Sequence, residues 1–244
     1  MFCESKSVKQ SLNEADPLIF KLKIAFKKYD RLYYILAKIA GALFVGSKTG
    51  VEACADLPKT AFIVNLGSGP KSLGAHIINV DAYPYANVAV CADATHLPFR
   101  DGSVDAIICE CMLEHVTQPE QVIKEIARVI TPGGLVYTSV PFMDPYHASP
   151  DDYTRWTMSG VRTLFNDFEQ QELAVGWGPT SSLIAVLSHW LGLMLSFGNA
   201  GLQQALALFF MVCLSPFKIL DFALKYPKMA PNIATGFYFI GLRK

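Results

Sequence analysis

The sequence predicts an α/β fold in which a largely parallel sheet carries helices on its faces. From Ala61 onward, short apolar runs alternate with turns or helical segments, which is typical of parallel strands covered on both sides. Glycines or single acidic residues follow the first three runs, at the edge where open α/β sheets bind ligands. The composition adds an apolar excess, since 52% of the 244 residues are hydrophobic and 17% are charged. One soluble core does not require so much apolar surface, so part of it must lie in a separate segment.

The apolar runs define seven strands. We expect them at 61–66, 77–80, 88–91, 105–111, 134–140, 170–176 and 234–242. A helix is predicted over Pro119–Ile130, because apolar residues repeat there at helical spacing and Pro132 and Gly133 follow. A second helix fits Met158–Phe165.

The first two crossovers between these strands are too short for full helices. About ten residues separate the first strand from the second, and about seven the second from the third. A helical crossover needs roughly a dozen residues or more. Single turns or loops are therefore expected at both places.

The formal net charge of zero excludes a basic nucleic-acid binder, an acidic tail protein and a disordered chain. This net charge of zero is the sum over segments of the chain that differ in charge. Residues 1–48 hold nine basic and four acidic residues, 49–172 hold seven and sixteen, and 173–244 hold five and one. We therefore divide the chain into a basic helical segment at 1–48, an α/β domain at 49–180 plus 231–244, and an apolar insertion at 181–230.

The basic segment contains an amphipathic pattern over 17–45. Its apolar residues share one stripe of a helix, while Lys23, Lys27 and Arg31 fall on the opposite face. This pattern fits a helix lying on an anionic membrane surface. It fits equally well a soluble helix that covers the domain and splays its lysines outward.

The insertion belongs to a stretch without charge. Between Leu173 and Phe217 there is no Asp, Glu, Lys or Arg. Two apolar runs, 183–197 and 202–214, flank a turn at 198–201, and each is shorter as a helix than the ~30 Å hydrocarbon core of a bilayer. A shallow or re-entrant hairpin, followed by Lys218, Lys225 and Lys228 as headgroup anchors, fits this pattern. The alternative is a soluble helical subdomain packed on the 17–45 helix or on a second subunit.

The cysteines predict a reducing, cytoplasmic compartment, since the six of them show no repeated spacing and the first residues are polar. Cys109 and Cys111 would share one face of a strand as small buried residues. No second Cys or His pair completes a zinc set around them, so we expect no metal.

The ends of the first three strands carry the candidate chemistry. Asn65, Gly67 and Gly69 follow the first strand, and such glycines let a ligand approach the backbone closely. Asp81 ends the second strand, where a carboxylate can accept hydrogen bonds from the vicinal hydroxyls of a ribose. Asp93 ends the third and can accept one from an exocyclic amine. The three positions together describe a nucleoside-shaped ligand.

Four segments within about residues 60–175 resemble those of class I S-adenosylmethionine-dependent methyltransferases, close to the type 11 methyltransferase domain. They are NLGSG, NVDAY, ADATHLPFRDGSVDAIICECMLEHV and EIARVITPGGLVYTSVPF. The resemblance implies a Rossmann-like seven-stranded sheet whose last strand is antiparallel, with S-adenosyl-L-methionine as the cofactor. It also implies that the glycines hold the methionine end of the cofactor, Asp81 the ribose and Asp93 the adenine amine. The cofactor-binding residues expected on this basis are Asn65, Gly67, Gly69, Asp81, Asp93, Ala94 and Glu110.

Two features depart from that family. Asn65 stands where an acidic residue is usual, and the first crossover lacks the helix whose amino end would face the cofactor. Neither change removes a group that does covalent chemistry, because methyl transfer from a sulfonium is an in-line displacement that depends chiefly on positioning.

The methyl-acceptor side is expected after the fourth and fifth strands. Glu114 and His115 follow the fourth, and a YHASPDDYTRW segment follows the fifth. We expect His115 or His147 to take the proton from an acceptor hydroxyl, because imidazole titrates near neutrality. A purely structural contact is the alternative for both. Arg155 either anchors an acidic acceptor or pairs with Asp152.

The function expected is methyl transfer to a hydroxyl or carboxylate of a lipid-linked saccharide or amphiphilic small molecule. The protein would act on the cytoplasmic side of a membrane, peripheral or shallowly inserted, as a monomer or a homodimer, without nucleic acid. The alternative is a noncatalytic interaction module that keeps the fold, motivated by Asn65 and the short crossovers. A nicotinamide oxidoreductase is disfavoured, because Ser72 stands where its third glycine would be.

Overall fold

A computed structural model describes residues 39–244 as one seven-stranded sheet with helices on its faces. The strand order is β3-β2-β1-β4-β5-β7-β6, and β7 runs antiparallel to both of its neighbours. The strands are β1 (Ile63–Leu66), β2 (Ile77–Asp81), β3 (Val90–Cys91), β4 (Val104–Glu110), β5 (Ile130–Pro141), β6 (Phe168–Trp177) and β7 (Gly236–Arg243). The α-helices are α1 (Gly50–Ala53), α2 (Pro119–Val129), α3 (Met158–Leu164), α4 (Pro179–Leu195), α5 (Ala200–Leu214) and α6 (Asp221–Leu224). The predicted fold class is confirmed.

The seven predicted strands are all present, with one boundary that differs in an informative way. Strand β5 was expected from residue 134, but it begins at Ile130, directly after α2. Ile130 pairs with Val104, whereas Ala106 pairs with Leu135, so the intervening residues form a bulge. Gly133 supplies the positive φ of 75° that this bulge needs. The Pro-Gly pair therefore bends a strand in addition to following a helix.

Two apolar layers hold the domain together. One face of the sheet packs under α2 and α3, with Ile107, Ile126 and Phe239 fully buried. On the other face, a smaller cluster contains Ile63 and Tyr137. Residues 67–76 and 82–89, which make the first two crossovers, contain no helix, as the short spacing predicted.

Most of the predicted 17–45 helix lies outside the described residues. Its expected end is corrected by the part that is described. Residues 39–40 are helical, but the chain then leaves the helix, and Phe44 forms an isolated antiparallel bridge with Trp177 of β6. The Val45 N–H donates to the Gly176 carbonyl at 2.8 Å. An edge strand offers unpaired backbone groups, and residues 44–45 satisfy some of those on β6.

The insertion between β6 and β7 is a helical hairpin, as predicted, made of α4 and α5. By length and composition, one helical stretch among residues 39–244, Ala200–Leu224, is apolar enough to cross a membrane, with 25 residues and a mean hydropathy of 1.8. The end of this stretch is tied to the start of α4, directly after β6. Asp221 is fully buried and accepts from the backbone N–H groups of Thr180 and Ser181 at the start of α4.

The lysines expected at lipid headgroups have other partners. Lys218 is 4% exposed, and its ammonium donates to the carbonyls of residues 39, 40 and 41 at 2.7–2.9 Å. Lys225 donates to the Val45 carbonyl at 2.5 Å. Both therefore hold the incoming N-terminal chain and are not headgroup anchors. Lys228 is exposed.

Candidate active site

A cavity of about 500 Å³ opens at the carboxyl ends of the parallel strands. Six of the residues singled out in the sequence line it, namely Gly67, Gly69, Asp81, Asp93, Ala94 and His115. They come from four separate loops. The parallel register of β1, β2, β3 and β4 brings these loops to one edge of the sheet.

The glycine loop after β1 requires both of its glycines, for different reasons. Gly67 has a φ of +70°, and a Cβ there would lie 2.3 Å from Cγ of Met112. Gly69 has a φ of +53°, and a Cβ there would meet no atom within 4 Å. A side chain at Gly67 would therefore clash with Met112 and strain the backbone. A side chain at Gly69 would strain the backbone only, since the space beside it is open.

Asp81 organises this loop. Its side chain is 8% exposed, Oδ2 accepts from the Gly69 N–H and Oδ1 accepts from the Tyr83 N–H, both at 2.8 Å. A carboxylate has about four lone-pair sites, so it can accept further hydrogen bonds from two neighbouring hydroxyls. The geometry thus fits a diol-bearing ligand and fixes the glycine loop at the same time.

Asp93 follows the same pattern on the next loop. The Thr95 backbone N–H and hydroxyl both donate to Oδ1 at 2.8 Å. The other oxygen, Oδ2, is the one that a ligand amine would meet. Ala94 lies beside it in the cavity wall, where its small side chain leaves room for a planar ring.

Asn65 and Glu110 lie elsewhere. Asn65 is 4% exposed, and its Nδ2 donates to Oδ1 of Asn79 on β2 at 2.9 Å. Asn79 donates in turn to the carbonyl of Asn87. Glu110 pairs with Lys71 at 2.9 Å. Neither Asn65 nor Glu110 lines the cavity, and their partners show that they support the two helix-free crossovers.

The methyl-acceptor side contains a cluster that sequence reasoning identified only in part. Glu114 is fully buried, and its Oε1 lies 3.9 Å from Nε2 of His115 and 3.9 Å from Nε2 of His147. The two imidazole rings meet edge to face at 5.5 Å. The structure thus brings together the two histidines proposed as alternatives. Glu114 was noted only as a neighbour, because burial is not visible in a sequence.

The surroundings of the two histidines differ. His115 Nδ1 lies 2.6 Å from the Asp151 carbonyl, and because a carbonyl only accepts, this nitrogen carries a proton. Burial lowers the pKa of His147, but the Asp144 carboxylate at 3.1 Å and the buried Glu114 raise it to about 10. The surroundings of His147 are therefore the more negative of the two.

The question left open for Arg155 is answered by its contacts. Its guanidinium pairs with both oxygens of Asp152, and the Nη2 to Oδ2 distance is 2.6 Å. Burial raises the pKa of Asp152, but Arg155 and the His147 N–H bring it down to about 2. This pair shapes the loop that carries His147, because the same carboxylate accepts from the His147 N–H at 2.8 Å.

A second cavity, of about 270 Å³, lies on the other side of His147. Asp144 and His147 line one part of it, and Ile184, Ala185 and Met211 of the hairpin line another. His115 borders the larger cavity and His147 the smaller one. The histidine pair therefore stands between the two cavities.

Comparisons with known proteins agree with this geometry. Residues 63–138 match the methyltransferase domain family. A methyltransferase of Mycobacterium sp. (strain KMS) is 46% identical over 103 residues, which cover 40% of this chain and 39% of that protein. A methyltransferase of Mycobacterium leprae (strain Br4923) is 35% identical over 97 residues, covering 40% of this chain and 35% of that protein. The chain thus spans little more than a third of the length of these curated relatives.

Among solved structures, the Burkholderia thailandensis 1,6-didemethyltoxoflavin-N1-methyltransferase, with bound 1,6-didemethyltoxoflavin and S-adenosylhomocysteine, has the same fold. It aligns with a TM-score of 0.51 at 10% identity and covers 92% of this chain and 86% of its own. Strand order, glycine loop and family match agree. Residues 63–138 are therefore similar to the methyltransferase domain family, and the described residues have the Rossmann-like seven-stranded fold of that solved methyltransferase.

Proposed function

We propose that this protein transfers a methyl group from S-adenosylmethionine to an oxygen of an amphiphilic molecule at a membrane surface. The hydroxyl or carboxylate acceptor would belong to a lipid-linked saccharide or a similar molecule. The observation that carries this proposal is the smaller cavity, since its wall combines the polar cluster at His147 with apolar side chains of the hairpin. An acceptor with a polar head and an apolar tail matches both parts.

Methyl transfer requires the protein mainly to position the methyl donor and the acceptor. S-adenosylmethionine, when bound, supplies an electrophilic methyl group. Asp81 and Asp93 are placed to fix its ribose and adenine, and the glycine loop admits its methionine end. The pair His115 and His147, between the two cavities, is placed to take the proton of an acceptor hydroxyl, while the Nδ1–H of His115 stays on the Asp151 carbonyl. Glu114, next to the two histidines, is fully buried.

The membrane part of the proposal is supported by the surface of the hairpin. Large apolar side chains of α4, α5 and their connection stand free of the domain, with Phe197 93% exposed and Leu193 67% exposed. Monomeric soluble proteins rarely expose a contiguous apolar surface of this kind. A hairpin inserted to a shallow depth would bury these side chains and bring the smaller cavity to the lipid boundary.

Calorimetric titration with S-adenosylmethionine tests the cofactor site. Asp81→Ala removes a ribose contact and two bonds that hold the glycine loop, so we expect at least about 30-fold weaker binding, or ~2 kcal/mol. Asp56→Ala, at an exposed aspartate outside the cavity, serves as the control. If the wild type does not bind, the noncatalytic module becomes the better interpretation.

Co-sedimentation with phosphatidylcholine vesicles tests the hairpin. The double variant Leu193→Ser, Phe197→Ser should partition about 100-fold less, since burying each side chain contributes roughly 1.5–3 kcal/mol. Val51→Ser, an exposed apolar position outside the hairpin, should leave binding unchanged. Equal partitioning of all three proteins would remove the membrane from the proposal. The acceptor itself can then be sought by incubating lipid extracts with a labelled methyl donor.

A further inference from the structure

The carboxylate of Glu114 lacks the partners that a buried charge needs. The side chain has no exposure, and neither oxygen accepts a hydrogen bond from any group within residues 39–244. Burying an unpaired carboxylate is costly, and such groups are normally paired, protonated or bound to a metal. Something with positive charge is therefore expected at this position.

The two histidine rings are turned toward the same point. The Asp151 carbonyl lies 2.6 Å from His115 Nδ1, and the Pro145 carbonyl lies 2.9 Å from His147 Nδ1. Carbonyls only accept, so each Nδ1 is the donor. The opposite nitrogens, both Nε2 atoms, then face Glu114 Oε1 from 3.9 Å.

The distances distinguish an ion pair from a shared ion. A direct charged hydrogen bond would bring nitrogen and oxygen to ~2.7–2.9 Å, a full ångström closer than observed. Ligand atoms that share a tetrahedral metal at ~2.0–2.2 Å lie roughly 3.4 Å from one another. The two distances of 3.9 Å between Glu114 Oε1 and the Nε2 atoms must shorten by about half an ångström, and the third distance, at most 4.8 Å, by up to about 1.4 Å.

We propose that Glu114, His115 and His147 bind a divalent transition-metal ion between the two cavities. Two imidazoles and one carboxylate are a ligand set that zinc and iron(II) accept, with further positions left for small ligands. The ion would take up the negative charge of Glu114.

The groups behind the histidines fit this role. Metal-binding histidines usually donate their second ring nitrogen to a carbonyl or carboxylate, which fixes ring orientation and raises basicity. His115 has the Asp151 carbonyl, and His147 has the Pro145 carbonyl with Asp144 Oδ2 at 3.1 Å. Asp152 fixes the backbone of His147 as well. The orientation of both rings is therefore set before any ion binds.

The open positions of the ion would face the two cavities, because His115 borders one and His147 the other. If the proposed function holds, an oxygen of the methyl acceptor is the natural ligand there. In the metal-bound form His115 Nε2 is a ligand and does not take the acceptor's proton. The binding of the metal itself does not depend on methyl transfer. It can therefore be tested without a known acceptor.

The experiment uses the full chain, stripped with a chelator and then titrated with Zn²⁺ by calorimetry and with Co²⁺ by visible absorption. We expect one equivalent of metal and the d–d bands of a low-symmetry Co²⁺ site. Glu114→Gln and His147→Gln should each weaken binding at least about 100-fold. His76→Gln, at an exposed histidine outside the cluster, should bind like the wild type.

Two results would overturn the inference, namely no stoichiometric binding by the wild type, or equal binding by the wild type and Glu114→Gln. Circular dichroism checks that each variant is folded, and Glu114→Gln should fold well because it removes an uncompensated charge. Titration with S-adenosylmethionine in parallel separates the two ideas. A protein that binds metal but not S-adenosylmethionine would refute the proposed function alone.

Discussion

Asp221 is expected to be the residue on which docking of the hairpin depends. Helix α4 begins at Pro179, and its N-cap residue, Gly178, has no side chain that could cap the helix. Asp221, about forty residues later, takes that place by accepting from Thr180 N at 2.6 Å, Ser181 N at 2.9 Å and Ser181 Oγ at 2.7 Å. A Cβ on Gly178 would lie 2.4 Å from Asp221 Cγ, so the glycine is needed for this approach.

The cost of Asp221→Ala follows from these contacts. The change leaves two backbone N–H groups and one hydroxyl without their acceptor in a buried place, at roughly 1–3 kcal/mol each, and it removes a charge that favours the helix amino end. These effects overlap, and removing one partner from a buried charged network costs ~3–5 kcal/mol. Asp221→Asn keeps the shape and one oxygen, and we expect about half of that loss.

Urea unfolding followed by tryptophan fluorescence measures the effect, because Trp177 precedes α4 and Trp190 lies within it. Hydrogen exchange of residues 179–195 shows whether the hairpin opens before the domain does. Asp56→Ala, at an exposed aspartate, should change the unfolding free energy by less than about 0.5 kcal/mol. The reasoning is refuted if Asp221→Ala unfolds within the same 0.5 kcal/mol of the wild type, or if it weakens S-adenosylmethionine binding, whose cavity lies on other loops.

Three further predictions concern the α/β domain. Gly67→Ala should abolish measurable S-adenosylmethionine binding, because its Cβ would meet Met112, and calorimetry checks this. Asn65→Asp should lower the free energy of unfolding, measured with urea, by about 1–2 kcal/mol without improving cofactor affinity, since it replaces the buried Nδ2 donor with an acceptor. Glu125→Gln should cost about 1 kcal/mol at pH 7, because hydrogen bonds from Arg128 hold the pKa of Glu125 below its ordinary value. A lowered pKa stabilises the folded state above the unfolded pKa, so that difference should vanish as the pH falls through the folded value; an unchanged difference at pH 2 would contradict it.

Much of the fold could be predicted because its cause is local. The spacing of apolar residues defines strands and helices, and the length of a crossover limits what it can contain. The first residues of β5, directly after α2, could not be predicted in this way. Pro132 and Gly133 are compatible with a helix end or with a bulge, and the pairing of Ile130 with Val104 across the sheet decides between them.

The convergence of the candidate cofactor residues on one cavity was predictable for a similar reason. Gly67, Gly69, Asp81 and Asp93 each follow a strand, and parallel strands end at one edge of a sheet. Asn65 also follows this rule in the sequence, but side chains alternate along a strand, and its amide faces Asn79 and the helix-free crossover. Position along the chain therefore predicted which edge of the sheet it occupies but not its contacts.

The sequence by itself determined the fold class, the methyltransferase resemblance, the cofactor loops and the presence of an apolar hairpin, because these depend on periodicity and on the order of short motifs. Only the tertiary structure decided what the charged residues do. Lys218, expected at lipid headgroups, is buried and binds the carbonyls of residues 39–41, and Asp221 is buried and binds the start of α4. Glu114 and His147 are 33 positions apart and form one cluster. Burial and convergence arise when distant segments pack together, and a linear pattern does not contain them.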